Sequence, residues 1–297
     1  MPGRLLIFGL GYSGTAIARA AASAGWTVTA TSRDPASATA PPGVSLIDFD
    51  TAEPALAAAT HLVATAAPGD AGDPVLARYG AAIRDAPARW AGYLSTTGVY
   101  GDRGGAWVDE ATPPAPTSAR SRRRLAAEDA WRDACAGRRA LDLFRLAGIY
   151  GPARSALSDV RAGSARRIAR PGNLFGRIHR DDIAAAVLAA MGQDRPPGTR
   201  VLNLSDDEPA ATADVVAEAA RLLGVSPPPL VPYDEAASGM SAMARSFWAE
   251  NRRVRSEATQ RALGLRWRYP TYRDGLAAIL AEEAEQGRTQ KGEVGGA

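Results

Sequence analysis

Short runs of β-branched and aromatic residues alternate with alanine-rich runs of helical period through the first half of the chain. That is the pattern of a doubly wound parallel sheet. Strands are predicted at residues 5–8, 26–31, 44–49, 62–66, 90–94 and 140–146, with helices between them at about 13–24, 54–59, 74–85 and 118–135. Breakers punctuate the alternation. Gly25 follows the first helix as a C′ glycine, Pro41-Pro42-Gly43 precedes the third strand, and Pro68-Gly69 ends the fourth. The loop before helix 118–135 carries Gly104-Gly105 and Pro113-Pro114.

After Pro152 the rhythm changes. An arginine-rich segment leads to Pro171-Gly172-Asn173, and His179-Arg180-Asp181-Asp182 opens a helix through 191. A strand at 201–204 and a helix at 211–223 follow, then a triple-proline break at 227–229. The remainder reads as mostly helical and closes on an amphipathic stretch at 272–285; the polar residues 286–297 read as a disordered tail. The expected fold is therefore α/β, a Rossmann-type doubly wound sheet with a smaller C-terminal lobe. Residues 1–152 would form the dinucleotide-binding domain, with about 177–206 returning to it, and 153–285 would form most of the substrate lobe.

A chain of 297 residues can bury a core of that size. No run of about 18 apolar residues appears, so no membrane span is expected. The N-terminus enters a strand without the regions of a signal peptide. Cys135 is the single cysteine, which precludes an intrachain disulfide and points to a reducing, cytoplasmic location. The formal charge of +3 is spread along the chain, carried almost wholly by arginine, with no nucleic-acid signature beside it. Nucleic acid is not an expected partner. No cluster has metal-ligand spacing, and no metal is expected.

The candidate chemistry begins at GLGYSG, residues 9–14. It follows a strand and opens a helix, the context in which G-x-G-x-x-G cradles a pyrophosphate. Gly9 allows the tight turn, Gly11 the close approach of the phosphates, and Gly14 the packing of helix on strand. Tyr12 and Ser13 complete the loop at the helix N-terminus, where free N–H groups meet an anion. Coenzyme choice is read at the end of the second strand, Thr31-Ser32-Arg33-Asp34. Ser32 and Arg33 suit the 2′-phosphate of NADP. Asp34 argues for NAD, although it also suits a turn before Pro35. NADP is the favoured cofactor and NAD the alternative.

Six segments in order resemble extended short-chain dehydrogenases/reductases, the NAD-dependent epimerase/dehydratase group. They are the glycine loop, LSTTGVYG at 94–101, LAAE at 125–128, FRLAGIYGP at 144–152, HRDDI at 179–183 and VLNLS at 201–205. The family uses Ser/Thr, Tyr and Lys. Its tyrosine exchanges a proton with the substrate while hydride moves at the nicotinamide. By register, Thr96 stands at the Ser/Thr position, Arg120 at the Tyr position and Arg124 at the Lys position. The single lysine, Lys291, lies far away near the C-terminus. An arginine stays protonated, so Arg120 cannot easily serve as a general base. The chain thus resembles an atypical branch that lacks the catalytic Tyr and Lys. Arg124 could still hold the cofactor ribose. The Asp-Glu pair that dehydratases carry after the Thr is replaced by Thr97-Gly98.

The remaining candidates are open to two readings each. Tyr100 is a replacement acid or a packing residue, and Tyr150 a substrate contact or a packing residue. Arg120, Arg122, Arg123 and Arg124 are an anion site or a solvated helix face. His179 reads as structural. The resemblance implies an oxidoreductase or epimerase acting on a small hydroxyl or carbonyl compound, nucleotide-sugar-like substrates included. The loss of Tyr and Lys implies an alternative, a non-catalytic NADP(H)-binding regulator or scaffold. The helices after strands four and five often pair between subunits in proteins the chain resembles, so a homodimer is among the expectations.

Overall fold

The structure is a computed structural model that describes residues 2–241, 245 and 247–294. Its centre is a sheet of seven parallel strands in the order β11-β7-β5-β4-β1-β2-β3. These are β1 (Arg4–Phe8), β2 (Thr27–Ser32), β3 (Val44–Asp48), β4 (His61–Ala64), β5 (Trp90–Thr96), β7 (Ala140–Leu146) and β11 (Gly198–Leu204). The sheet and the helices flanking it are the Rossmann-type α/β fold read from the sequence.

Strand β1 shows why the sheet is covered on both faces. Leu5 and Ile7 enter one apolar cluster; Leu6 and Phe8 enter another. Successive side chains of a strand point to opposite faces, so a run that is apolar at every position needs cover on both. Helices α1 (Tyr12–Ser23) and α6 (Arg180–Met191) cover the first face. Helices α2 (Glu53–Ala58), α3 (Pro74–Asp85) and α4 (Ala119–Cys135) cover the second. Cys135 is buried there, and burial pushes its thiol up to about 11, in keeping with a small packing residue.

The chain after Pro152 both leaves and returns. Strand β11 pairs with β7 at the sheet edge, and α6 packs on α1. A separate core joins Tyr150, Leu157, Val215, Tyr272, Leu276 and Ile279. These come from β8 (Gly148–Tyr150), α5 (Ala156–Arg161), α7 (Thr212–Leu223) and the C-terminal helix Tyr272–Val294. Three short parallel pairs complete the lobe. They are β8 with β10 (Arg177–His179), β9 (Arg167–Ala169) with β12 (Leu230–Pro232), and β6 (Trp107–Val108) with β13 (Arg253–Val254). The C-terminal helix runs to Val294 and takes in residues 286–294 of the segment read as a tail. The apolar face of its first turns is docked, and the helix propagates from there, with Gln286 donating to Glu282 at 3.1 Å. Residues 295–297 of that tail lie outside the described residues. No helix among the described residues is long and apolar enough to cross a membrane.

His61 starts β4 and is 1 % exposed between Trp26 and Trp90, with Nδ1 2.9 Å from Thr60 Oγ1. Burial, aided by the charge of Arg89, pushes its pKa down to about 4. The folded protein therefore holds it neutral, while the unfolded chain binds a proton below about 6.5. This stability is present above pH 6.5 and is lost as the pH falls toward 4. Relative to His61→Gln, the wild type should lose roughly 2 kcal/mol over that window, screening included. Urea midpoints measured from pH 7 to 4 check this; parallel curves for the two proteins would refute it.

Candidate functional site at the carboxyl ends of the strands

The turn after β1 is built by close contacts. Gly9 has φ +105°, a left-handed conformation, and a Cβ there would stand 2.7 Å from Thr65 Oγ1. Its N–H donates to Thr31 Oγ1 at 3.2 Å, and its carbonyl accepts from Thr65 Oγ1 at 2.8 Å. A Cβ on Gly14 would lie 2.2 Å from the Gly9 carbonyl oxygen, so only glycine lets α1 sit this close to the turn. Gly11 differs. It is exposed, and nothing lies within 4 Å of where its Cβ would stand. It is the N-cap of α1, no side chain caps the helix, and no acidic residue stands in the first turn. The positive end of α1 is thus left bare beside open space, an arrangement that accepts a phosphate. Ser13 is buried in that first turn. The Tyr12 hydroxyl donates to the Pro152 carbonyl at 2.9 Å.

At the end of β2 the two carriers of coenzyme choice separate. Ser32 Oγ accepts from the Asp34 N–H at 3.1 Å, and Asp34 Oδ1 accepts from the Ser37 N–H at 3.2 Å. The Ser37 hydrogen bonds hold the Asp34 carboxyl below the usual carboxylate range. Asp34 therefore closes its own turn. Arg33 is exposed and pairs with no carboxylate among the described residues.

Thr96, Arg120 and Arg124, read in register with the family's catalytic positions, stand in different surroundings. Thr96 ends β5, and its hydroxyl accepts from the Gly98 N–H at 3.1 Å, capping a 3₁₀ turn at Thr97–Tyr100. Arg124 sends one nitrogen, Nη1, to the carbonyls of Leu94 (2.9 Å) and Ala66 (3.3 Å) and to the Tyr93 hydroxyl (2.9 Å). It thereby ties the chain beyond β4 to β5. Arg120, four residues earlier on α4, is exposed, with its guanidinium 6.0 Å from the ring centre of Phe247. Arg122 and Arg123 are spent elsewhere: Arg122 donates to the Thr117 carbonyl at 2.6 Å, and Arg123 pairs with Asp70.

Two of the candidate tyrosines are buried, which favours the packing reading of each. Tyr100 is fully buried, and its hydroxyl donates to Asn203 Oδ1 at 2.7 Å. Tyr150 is 7 % exposed, wedged against Gly275, with its hydroxyl facing the Thr271 carbonyl at 3.5 Å. Burial raises both phenols above their ordinary value. Both are packing residues, because each ring fills a core and each hydroxyl meets an internal partner. His179 is likewise buried, with Nδ1 accepting from the Asp181 N–H at 3.2 Å as the cap of α6. Among the described residues no group of three or more His, Cys, Asp or Glu is placed to hold a metal ion.

A buried polar network lies directly beneath. Glu128 is fully buried and accepts from Arg145 Nε and Nη2 at 3.1 and 2.8 Å, and from Ser95 Oγ at 2.5 Å. The Arg145 guanidinium also lies 4.8 Å from the centre of the Tyr100 ring. The chain Ser95–Glu128–Arg145–Tyr100–Asn203 thus locks β5, α4, β7 and β11 just below Thr96. Sequence reasoning missed it. The available signal was Arg145, which with Asp142 places charge inside the otherwise apolar run 140–146.

No protein-family model matches the chain. Among solved structures, a functionally unknown conserved protein from Silicibacter pomeroyi is 46 % identical, with a TM-score of 0.84, over 95 % of this chain and 99 % of that one. MoeE5, solved in complex with UDP-glucuronic acid and NAD, is 20 % identical, with a TM-score of 0.76, over 96 % of this chain and 100 % of that one. The human epimerase family protein SDR39U1, solved with NADPH, is 20 % identical, with a TM-score of 0.72, over 93 % and 98 %. A 3-diazoavenalumate denitrifying reductase from Streptomyces is 28 % identical over 140 residues, and the match spans 45 % of either chain, under half the length of that relative. The resemblance to extended short-chain dehydrogenases/reductases holds at the level of the fold. The chain belongs to one family with the Silicibacter pomeroyi protein, built on the fold shared by the NAD-dependent epimerases and their short-chain dehydrogenase relatives.

Proposed function

We propose that the chain is an oxidoreductase or epimerase that uses a nicotinamide dinucleotide, prefers NADP, and acts on a small hydroxyl or carbonyl compound. One observation carries the reading: the uncapped first turn of α1 opens at Gly11 onto unfilled space at the carboxyl ends of the parallel strands. The first-turn N–H groups would hold the pyrophosphate, Ser32 and Arg33 the 2′-phosphate, and Arg124 a ribose hydroxyl. When bound, the nicotinamide supplies hydride exchange with a substrate carbon. Thr96 would orient the substrate oxygen. Arg120, always protonated, would stabilise negative charge developing on that oxygen without giving up its proton. The proton would come from solvent, since Tyr100 and Tyr150 are sealed in the core. The neighbours solved with NAD or NADPH, and the partial likeness to a reductase, are consistent with this reading.

A second reading, a redox-linked NADP(H)-binding regulator, draws on the same burial of both tyrosines. Calorimetric titration with NADPH, NADP, NADH and NAD tests the shared part. The phosphorylated forms should bind about tenfold or more tighter, and Arg33→Ala should remove most of that difference. Failure of all four to bind overturns the proposal. Consumption of NADPH with members of a carbonyl panel, or epimer formation with no net loss of cofactor, then separates enzyme from regulator.

A further inference from the structure

A turn of the small lobe reaches back to the glycine loop. Residues Gly151 to Arg154 form a tight turn, with the Arg154 N–H donating to the Gly151 carbonyl at 3.0 Å and the Gly151 N–H to the Arg154 carbonyl at 3.1 Å. Ala153 within it has φ +60°, the one left-handed non-glycine residue among those described. The turn is moored by Tyr12, the first residue of α1, through the bond to the Pro152 carbonyl. Gly151 is required at this junction, since a Cβ would stand 2.6 Å from the Tyr12 hydroxyl and 3.1 Å from Arg180 Cγ.

Two guanidinium groups meet on the Tyr12 ring, that of Arg180 at 5.1 Å and that of Arg154 at 5.5 Å from its centre. Their circumstances differ. Arg180 is 16 % exposed, with Nε 3.4 Å from Asp181 Oδ1. Arg154 is exposed, and among the described residues it faces no carboxylate. An unpaired cation is thus held over the residue whose own N–H belongs to the bare first turn of α1. An anion placed near both cations would stabilise each of them. Dinucleotide binding would bring an anion to this place.

Resting on the dinucleotide reading above, we propose that Arg154 is a pyrophosphate-binding residue, so that the phosphates are held from one side by the α1 first turn and from the other by the Gly151–Arg154 turn of the small lobe. Tyr12 acts as the positioning residue that keeps the turn in place. The small lobe then senses the cofactor directly, before any substrate contact.

The test compares wild type, Arg154→Gln and Arg154→Lys by calorimetry with three probes: NADPH, ADP-ribose and adenosine 2′-monophosphate, which lacks the pyrophosphate. Arg154→Gln should weaken NADPH and ADP-ribose about tenfold and leave adenosine 2′-monophosphate unchanged. Arg154→Lys should recover part of the loss, and the loss should shrink at high salt. Equal weakening of all three probes, or no weakening of any, would overturn the assignment while the dinucleotide reading stands. If the wild type binds neither NADPH nor ADP-ribose, both fall. Since Arg154 is exposed, thermal melting of the variants should match the wild type.

Discussion

Gly11→Asp is expected to leave the protein folded and to weaken dinucleotide binding by about a hundredfold or more. The two halves of this expectation come from the same geometry. No atom lies within 4 Å of the position a Cβ would take, so the new side chain has room. Aspartate is also a favourable N-cap, and Gly11 is the N-cap of α1. The melting temperature should therefore stay level or rise. The carboxylate, however, would satisfy the N–H groups that otherwise face the phosphates, and it would repel them. Titration with NADPH beside a thermal melt reads both effects. A stable variant that still binds at wild-type strength would remove the glycine loop from the cofactor site.

Glu128→Ala is expected to cost about 3–5 kcal/mol of stability, because it strips the partner from a charge that cannot reach water. Arg145 is 2 % exposed, and both of its bonds to a carboxylate go to Glu128. Ser95 loses its acceptor in the same step. Denaturant unfolding measures the loss, and a cost below about 1 kcal/mol would mean that Arg145 finds water or another acceptor. The damage should spread to β5, since Ser95 immediately precedes Thr96.

What the sequence made legible follows from how local each signal is. The six main strands before residue 150 announced themselves as short apolar runs, because a parallel strand covered on both faces needs apolar residues at every position. The glycine loop was legible because its constraint is local: Gly9 and Gly14 touch each other across five residues. Arg124 was found by register alone, although nothing in the sequence revealed its three acceptors. The pairs β8–β10, β9–β12 and β6–β13 were not legible, since strands of two or three residues carry no period and depend on distant partners. The sequence left Tyr100 and Tyr150 open between a site role and packing for a related reason. A tyrosine near a strand end can face in or out, and here Asn203 and Gly275, more than 100 residues away, decide the direction.

The contact between α1 and α6 carries a consequence for synthesis. Ile17, Ala18 and Ala21 of α1 share a core with Ile183, Val187 and Ala190 of α6, which are made some 160 residues later. As the chain leaves the ribosome, the helix that opens the protein waits with an apolar flank bare until α6 emerges, and the sheet edge at β7 waits for β11. The first half alone would therefore expose apolar surface that only the second half covers. A chain released near residue 150 would present a substrate for chaperones, and one released beyond residue 204 would hold all seven strands of the sheet.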